Sequence, residues 1–311
     1  MTLYALPPSN PLIPSLATFI RSSGTALADW HILLPNRRAC RALRDELMRQ
    51  QGGTAMLLPL IQPVGEEDSA LSLIAHPDAA PIPPAAHPME RALVLARIIK
   101  AAHADWSMAR CLALGSDLGQ LIDRAIREAV PFEALMDLVD ADYADHWQVT
   151  LSFLKEVMVS IWPDYLKTNH RVDTATQKQA MIKSLTKRIA VTGLDKPTLL
   201  AGIALNTDDM VALARAITHD DHGLVVLDGL MPNMDVDDLD HLDETHPSWS
   251  QWRFLQDMDK TPSDIPLLPT AATDTRDRLV TSWMRPAETT LRWRESPIPD
   301  GALNDISLCV C

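Results

Sequence analysis

HILLPNRRACRALRDELMRQ, residues 31–50, is the stretch that decides the fold. It opens on an apolar run suited to a buried strand, stops at Pro35 and Asn36, and continues as a basic helical pattern. Asn36 is a good N-cap for that helix, because its side-chain oxygen can accept an orphan N–H of the first turn. Upstream the same order occurs once before. LYAL (3–6) reads as a strand, PPSNPLIPS as a loop, and 12–22 as an apolar helix. Strand, loop and helix twice in succession is how a parallel nucleotide-binding sheet begins. Its first loop is where a phosphate would sit, and here that loop is filled with proline.

Further along, the chain divides into three zones. The first runs to about residue 85 and includes a third strand-like run at 56–61. A Pro-, Ala- and His-rich connector, PDAAPIPPAAHPME (77–90), closes it. The second zone is helical by period. Leu93, Ala96, Ile99 and Ala102 form one stripe, and Leu118, Leu121, Ile122, Ala125 and Ile126 form another. A helix over 146–166 carries Pro163 as a kink or break near its end, and 174–188 reads as one more amphipathic helix. The third zone returns to alternation: a strand at 198–202, a helix at about 207–218, and the continuous apolar strand GLVVLDG (223–229), of the kind buried on both faces. The expected architecture is therefore an α/β domain made of 1–85 and 189–311, interrupted by an all-helical subdomain at 86–188.

Bulk properties narrow the function. A net charge of −13 excludes non-specific attraction of the whole surface to nucleic acid, so any such contact needs a local basic patch. Cys40 and Cys111 fall on apolar helical faces and read as core packing. Cys309 and Cys311 are too tightly spaced for a zinc site, and no second pair follows. Low cysteine use, no basic-then-apolar opening and no apolar run of about 18 residues lead to the expectation of a soluble cytoplasmic protein. The strand-like ending DISLCVC (305–311) should feed another element, so the chain is expected to be a segment of a longer protein.

The chemistry of nucleotide hydrolysis is missing from the expected places. A phosphate cradle needs glycines for close backbone approach and a lysine for the outer phosphates. Between Leu6 and Leu16 there is neither, and Pro7, Pro8, Pro11 and Pro14 remove four N–H donors. Either the loop lost its phosphate or it never held one. An acid at a strand end is needed to hold magnesium, yet Gly202, Ile203, Ala204, Leu205 and Asn206 are uncharged. Asp208 and Asp209 suit the first turn of the next helix. Asp228 could bind a metal, or it is a turn residue before Gly229.

Several segments carry a resemblance. HILLPNRRACRALRDELMRQ resembles the strand–helix segment after the phosphate loop of superfamily I DNA helicases, which contacts single-stranded DNA. LLAGIALNTDDMVALARAI (199–217) resembles their magnesium segment with its acids replaced, and GLVVLDGL (223–230) resembles the next strand. LLPNRRACRALRDEL (33–47), ADHWQVTLSFLKEV (144–157), ETHPSWSQWRFLQDM (244–258) and RPAETTLRWRE (285–295) together resemble the AddB subunit of the AddAB helicase–nuclease, in its alphaproteobacterial form. The resemblance implies a P-loop-NTPase-like parallel sheet flanked by helices, with the helical zone as an insertion. It implies an inactivated helicase region in DNA double-strand-break repair and recombination, with no ATPase activity, no cofactor and no metal. The implied partners are an AddA-type motor subunit and DNA ends or single strands. A nuclease domain with an iron–sulfur cluster would lie beyond the end of this chain, so Cys309 and Cys311 fall too early to be its ligands. The family's small-residue loop after strand 198–202 is plainer here, at Ala204, Leu205 and Asn206.

The candidate DNA-binding residues are Asn36, Arg37, Arg38, Arg41, Trp249, Trp252 and Arg253. The three early arginines of the basic helix lie at the positive end of its dipole, where cations are disfavoured unless an anion lies opposite. They read either as phosphate contacts or as a solvated basic face. Trp249, Trp252 and Arg253 could stack on unpaired bases, or the tryptophans, three apart, pack on one helical face; His146 and Trp147 carry the same choice. The run MDVDDLDHLDE (234–244) lacks the glycine and terminal glutamate of a calcium loop and reads as a solvated acidic loop or helix start. Two readings from other classes stay open: an α/β enzyme binding a small molecule at the strand ends, and a structural protein-interaction domain without DNA contact.

Overall fold

The computed structural model describes residues 2–52, 55–64, 82–132, 145–294, 298 and 300–303, with the side chains of 145–149 excepted. The expected strand at 305–311, and the side chains of His146 and Trp147, lie outside the described residues. The chain divides into two compact units, 1–74 with 185–311 and 75–184.

The first unit begins with β1 (Leu3–Leu6), α1 (Leu12–Ser22), β2 (His31–Leu34), α2 (Arg37–Gln51) and β3 (Leu60–Pro63). The third strand starts later than its apolar run at 56–61 suggests. Pro59 has no N–H for a ladder, so pairing begins at Leu60, whose N–H donates to the Trp30 carbonyl at 3.0 Å. Pro63 is tolerated because β3 is an edge strand. Asn36 caps α2 by accepting the Ala39 N–H at 2.9 Å. Gly52 ends α2 at φ 68°, the left-handed conformation that favours glycine.

The second unit is helical: α3 (Pro88–Ala102), α4 (Met108–Arg127), α5 (Asp145–Glu156), α6 (Trp162–Thr168) and most of α7 (Thr174–Thr192), within which the unit boundary falls. Pro163 acts as expected. It cannot donate to the carbonyl of residue 159, and the helix widens into a π-helical turn at Val157–Ile161 just before it. Two glycines set the packing of α3 on α4. A Cβ at Gly115 would lie 2.8 Å from the Ala92 carbonyl oxygen and the Ala96 nitrogen. A Cβ at Gly119 would lie 3.0 Å from Arg91 Nε. The Arg91 guanidinium makes a two-pronged pair with Asp123 at 2.6 and 2.7 Å. It also lies 3.5 Å from Asp173, which accepts the Trp162 indole N–H at 3.0 Å. Burial pushes the Asp173 carboxyl upward, opposed by the Trp162 N–H and by Arg91.

The chain then completes the first unit with β4 (Thr198–Ala201), α8 (Asp208–His219), β5 (Gly223–Asp228), α9 (Val236–Leu239), α10 (Trp249–Gln256) and α11 (Thr275–Trp283). The five strands form one parallel sheet in the order β1-β5-β4-β2-β3. Leu6, Ile32, Leu34, Ile61, Leu199, Ala201, Leu224 and Val226 pack with Leu16, Phe19 and Ile20 of α1 and Cys40, Leu43 and Leu47 of α2. The alternate residues Leu3, Ala5, Leu33, Leu200, Val225 and Leu227 are also buried, and α8 packs on β4 and β5. The sheet is thus flanked by helices, the α/β class expected from strand–helix alternation. The outer edge of β1 is covered: the Ala5 N–H donates to Pro266 and the Leu268 N–H to Ala5, at 2.8 and 2.9 Å.

Two outcomes test this packing. Gly115→Ala should destabilise the protein by about 1–3 kcal/mol, because backbone must move to admit the methyl group; native stability in denaturant unfolding would contradict the close approach. His31 is buried, and desolvation lowers its pKa below 6.5 against the opposing hydrogen bond with Gln62. The unfolded chain therefore takes up a proton first as pH falls. The stability contributed by the neutral ring is present above about pH 6.5 and is lost below it. Melting temperature should fall between about pH 7 and pH 5.5, and His31→Gln should flatten that fall.

Candidate functional site

A parallel sheet gathers the loops that follow its strands along one rim. The chain leaves β2 towards β3 and leaves β4 towards β5, in opposite directions, so the crevice between β2 and β4 is the position where ligands bind in open α/β sheets. Here apolar side chains stand close to its backbone. Gly202 follows β4 at φ 65°, and a Cβ there would meet Leu12 Cδ2 at 2.7 Å and Pro35 Cδ at 3.6 Å. Leu12 is the first residue of α1, and the cap position before it is Pro11, which offers no side-chain hydrogen bond.

The loop between β1 and α1 is tied to a distant part of the chain. Ser9 donates its N–H and its hydroxyl to the two carboxylate oxygens of Asp277, each at 2.8 Å. Asp277, the third residue of α11, is 1% exposed and also accepts the Asp274 N–H at 2.7 Å. Asn10 exchanges two hydrogen bonds with the backbone of Ala272, at 2.8 and 3.2 Å. Nothing in local spacing connects Ser9 to Asp277, 268 positions away, and the sequence reading missed both residues.

Asp208 and Asp209 occupy the first turn of α8, where the helix dipole favours them. Asp228 ends β5 and precedes Gly229, whose φ of 74° makes the turn. Asp228 is exposed, yet the surrounding protein partly desolvates its carboxyl and pushes it upward, against a hydrogen bond from the Gly229 backbone. Among the described residues no group of three or more His, Cys, Asp or Glu side chains could hold a metal ion.

Arg37, Arg38 and Arg41 are exposed on the first turns of α2, which contain no acid. Arg38 and Arg41 form no ion pair with any described residue. Arg44, one turn further on, is committed to the sheet edge by a 2.6 Å hydrogen bond to the Ile61 carbonyl. The second group of candidates divides. Trp252 packs with Met231, Met234, Leu239, Val280 and Met284. Trp249 is half-buried, and the exposed Arg253 guanidinium lies 5.5 Å from its ring centroid and 3.6 Å from Asp208. α10 itself is held at the end of β5 by Gln251, whose side-chain amide donates to the Asp228 carbonyl at 2.7 Å. The α2 arginines and α10 share the rim but stand at β2 and β5, two strand spacings or about 10 Å apart. They do not form one cluster.

The acidic run follows the helix-start reading except at one residue. A short helix does start within it, at Val236–Leu239, but Asp238 is fully buried and pairs with Arg285 at 2.9 Å. Arg292 pairs with Asp235 and Asp237. The other five acids of the run are exposed, as a solvated helix start requires, so Asp238 alone departs from that reading, and with Asp235 and Asp237 it ties down the 285–292 segment. No protein-family model matches the chain, and no curated protein does. Among the described residues no helix is long and apolar enough to cross a membrane.

Removing Arg285 leaves a buried, unpaired carboxylate. Arg285→Ala should therefore cost about 3–5 kcal/mol, whereas Arg292→Ala, at an exposed pair, should be nearly silent. Equal unfolding midpoints for the two variants would contradict the buried pair.

Proposed function

We propose that this chain is a helicase-like region without a nucleotide site, which supports a DNA-processing assembly and guides a DNA strand. The parallel sheet flanked by helices is compatible with a P-loop-like fold. The loop where a phosphate would sit is short of donors at four prolines, and a carboxylate of the chain itself takes up the Ser9 N–H and hydroxyl. A phosphate there would meet a negative charge. The magnesium position at the end of β4 is occupied by uncharged residues. Together with the AddB resemblance, these features favour a scaffold in double-strand-break repair whose ATP motor is a partner subunit of AddA type.

The observation that carries the DNA contact is the exposed arginine face on the first turns of α2. Arg38 and Arg41 stand at the positive end of the helix dipole without a neutralising acid among the described residues. A DNA phosphate supplies the missing charge, and the Asn36 cap fixes the helix that presents the arginines. Trp249 and Arg253 offer a second contact further along the rim.

The test is binding of a single-stranded or forked DNA over a range of salt. Replacing Arg38 and Arg41 together by alanine should weaken binding and reduce the salt slope by about 0.7 for each phosphate no longer neutralised. Magnesium-ATP should leave the melting temperature of the native protein unchanged. An unaltered salt slope in the double variant would remove the α2 contact, and stabilisation by ATP would overturn the reading of an inactivated motor.

A further inference from the structure

We propose that the loop after β1 retains a working anion site, and that the chain keeps it closed with its own carboxylate, Asp277. The inference deepens the reading above and rests on its account of that loop.

Asp277 is buried, and among the described residues no lysine or arginine pairs with it. A buried carboxylate is costly unless its charge is met by hydrogen bonds. Here three donors meet it: the Ser9 N–H, the Ser9 hydroxyl and the Asp274 N–H, at 2.8, 2.8 and 2.7 Å. All come from uncharged groups, and Asp277 also lies in the first turn of α11, where the helix dipole favours an anion. The Asp274 N–H is one half of a reciprocal cap, in which the Asp274 carboxylate serves the backbone of the first turn; an anion held by two backbone N–H groups and a hydroxyl is the chemistry of a phosphate or carboxylate site. Such donors do not distinguish a carboxylate of the chain from a free one. The difference is that this anion is attached to α11 and cannot diffuse away. The contact is therefore a latch. It fills the loop, and with Asn10 and Ala272 it fastens the 266–277 segment along β1. The loop that would have let a motor respond to nucleotide is held in one conformation by covalent connection to its ligand.

Without the Asp277 carboxylate, the three donors point into a space of carboxylate size, which formate can enter. The experiment compares melting temperatures of the whole chain in sodium formate and in sodium chloride at equal ionic strength. Asp277→Ala should melt below the native protein in chloride, and formate should raise it saturably by about 2–4 °C. The native protein should not distinguish the two salts. Ser9→Ala in the Asp277→Ala background should diminish the rescue, because it removes one of the donors. A folded Asp277→Ala protein that melts identically in both salts overturns the proposal. If that variant does not fold, Asp277→Asn decides. Its amide fills the space but turns an NH2 towards a donor, so it should melt low and ignore formate; native stability in Asp277→Asn would show that the loop does not require an anion. DNA binding by the α2 arginines is measured separately, so failure of formate rescue removes the latch and leaves the DNA reading standing.

Discussion

A parallel sheet cannot be joined by tight turns. Each strand must be followed by a crossover that returns the chain to the starting end, and the architecture of the first unit follows from that constraint. The crossovers after β1, β2 and β4 run through α1, α2 and α8, and the helical unit lies between β3 and β4 in the chain. Because every strand points the same way, the loops after β1, β2, β4 and β5 lie along one rim. Arg38, Gly202, Ser9 and Asp228 are far apart in sequence but share this rim for that reason alone.

What the rim can do depends on how its donors and charges are satisfied. At the β2–β4 crevice, the apolar side chains of Leu12 and Pro35 approach Gly202 closely. At the loop after β1, proline removes donors and Asp277 engages Ser9. At the start of α2, Asn36 caps the helix, and Arg38 and Arg41 beyond it face solvent. Two of these places are closed by the chain itself, and the third remains available to an external anion. The proposed role in steering a polyanion rests on that asymmetry.

The helical unit is held together differently. Its core of Leu95, Ile99, Cys111, Leu118, Ile122, Met158 and Trp162 supplies the non-directional part. Gly115 sets how closely α3 and α4 approach, and the Asp123–Arg91–Asp173 group, with the Trp162 indole, fixes their register. Replacing such a buried charged group by apolar residues is often neutral for stability, whereas breaking it is costly.

Short-range physics made most of the secondary structure legible in the sequence. The apolar runs at 3–6, 31–34 and 223–228, the Asn36 cap, the period of α1 and α2 and the break near Pro163 are decided by residues within one or two turns of each other. The strand near 60 was displaced because Pro59 withholds an N–H from the ladder. The four prolines of the loop after β1, and the N–H donors they remove, are likewise local facts of the sequence. Long-range pairing was not legible. Strand order, the burial of Asp238 against Arg285, the packing of Trp252 and the meeting of Ser9 with Asp277 join residues tens to hundreds of positions apart. An exposed aspartate and a buried, fully bonded one look the same in a sequence, because only the folded chain determines which groups surround the charge.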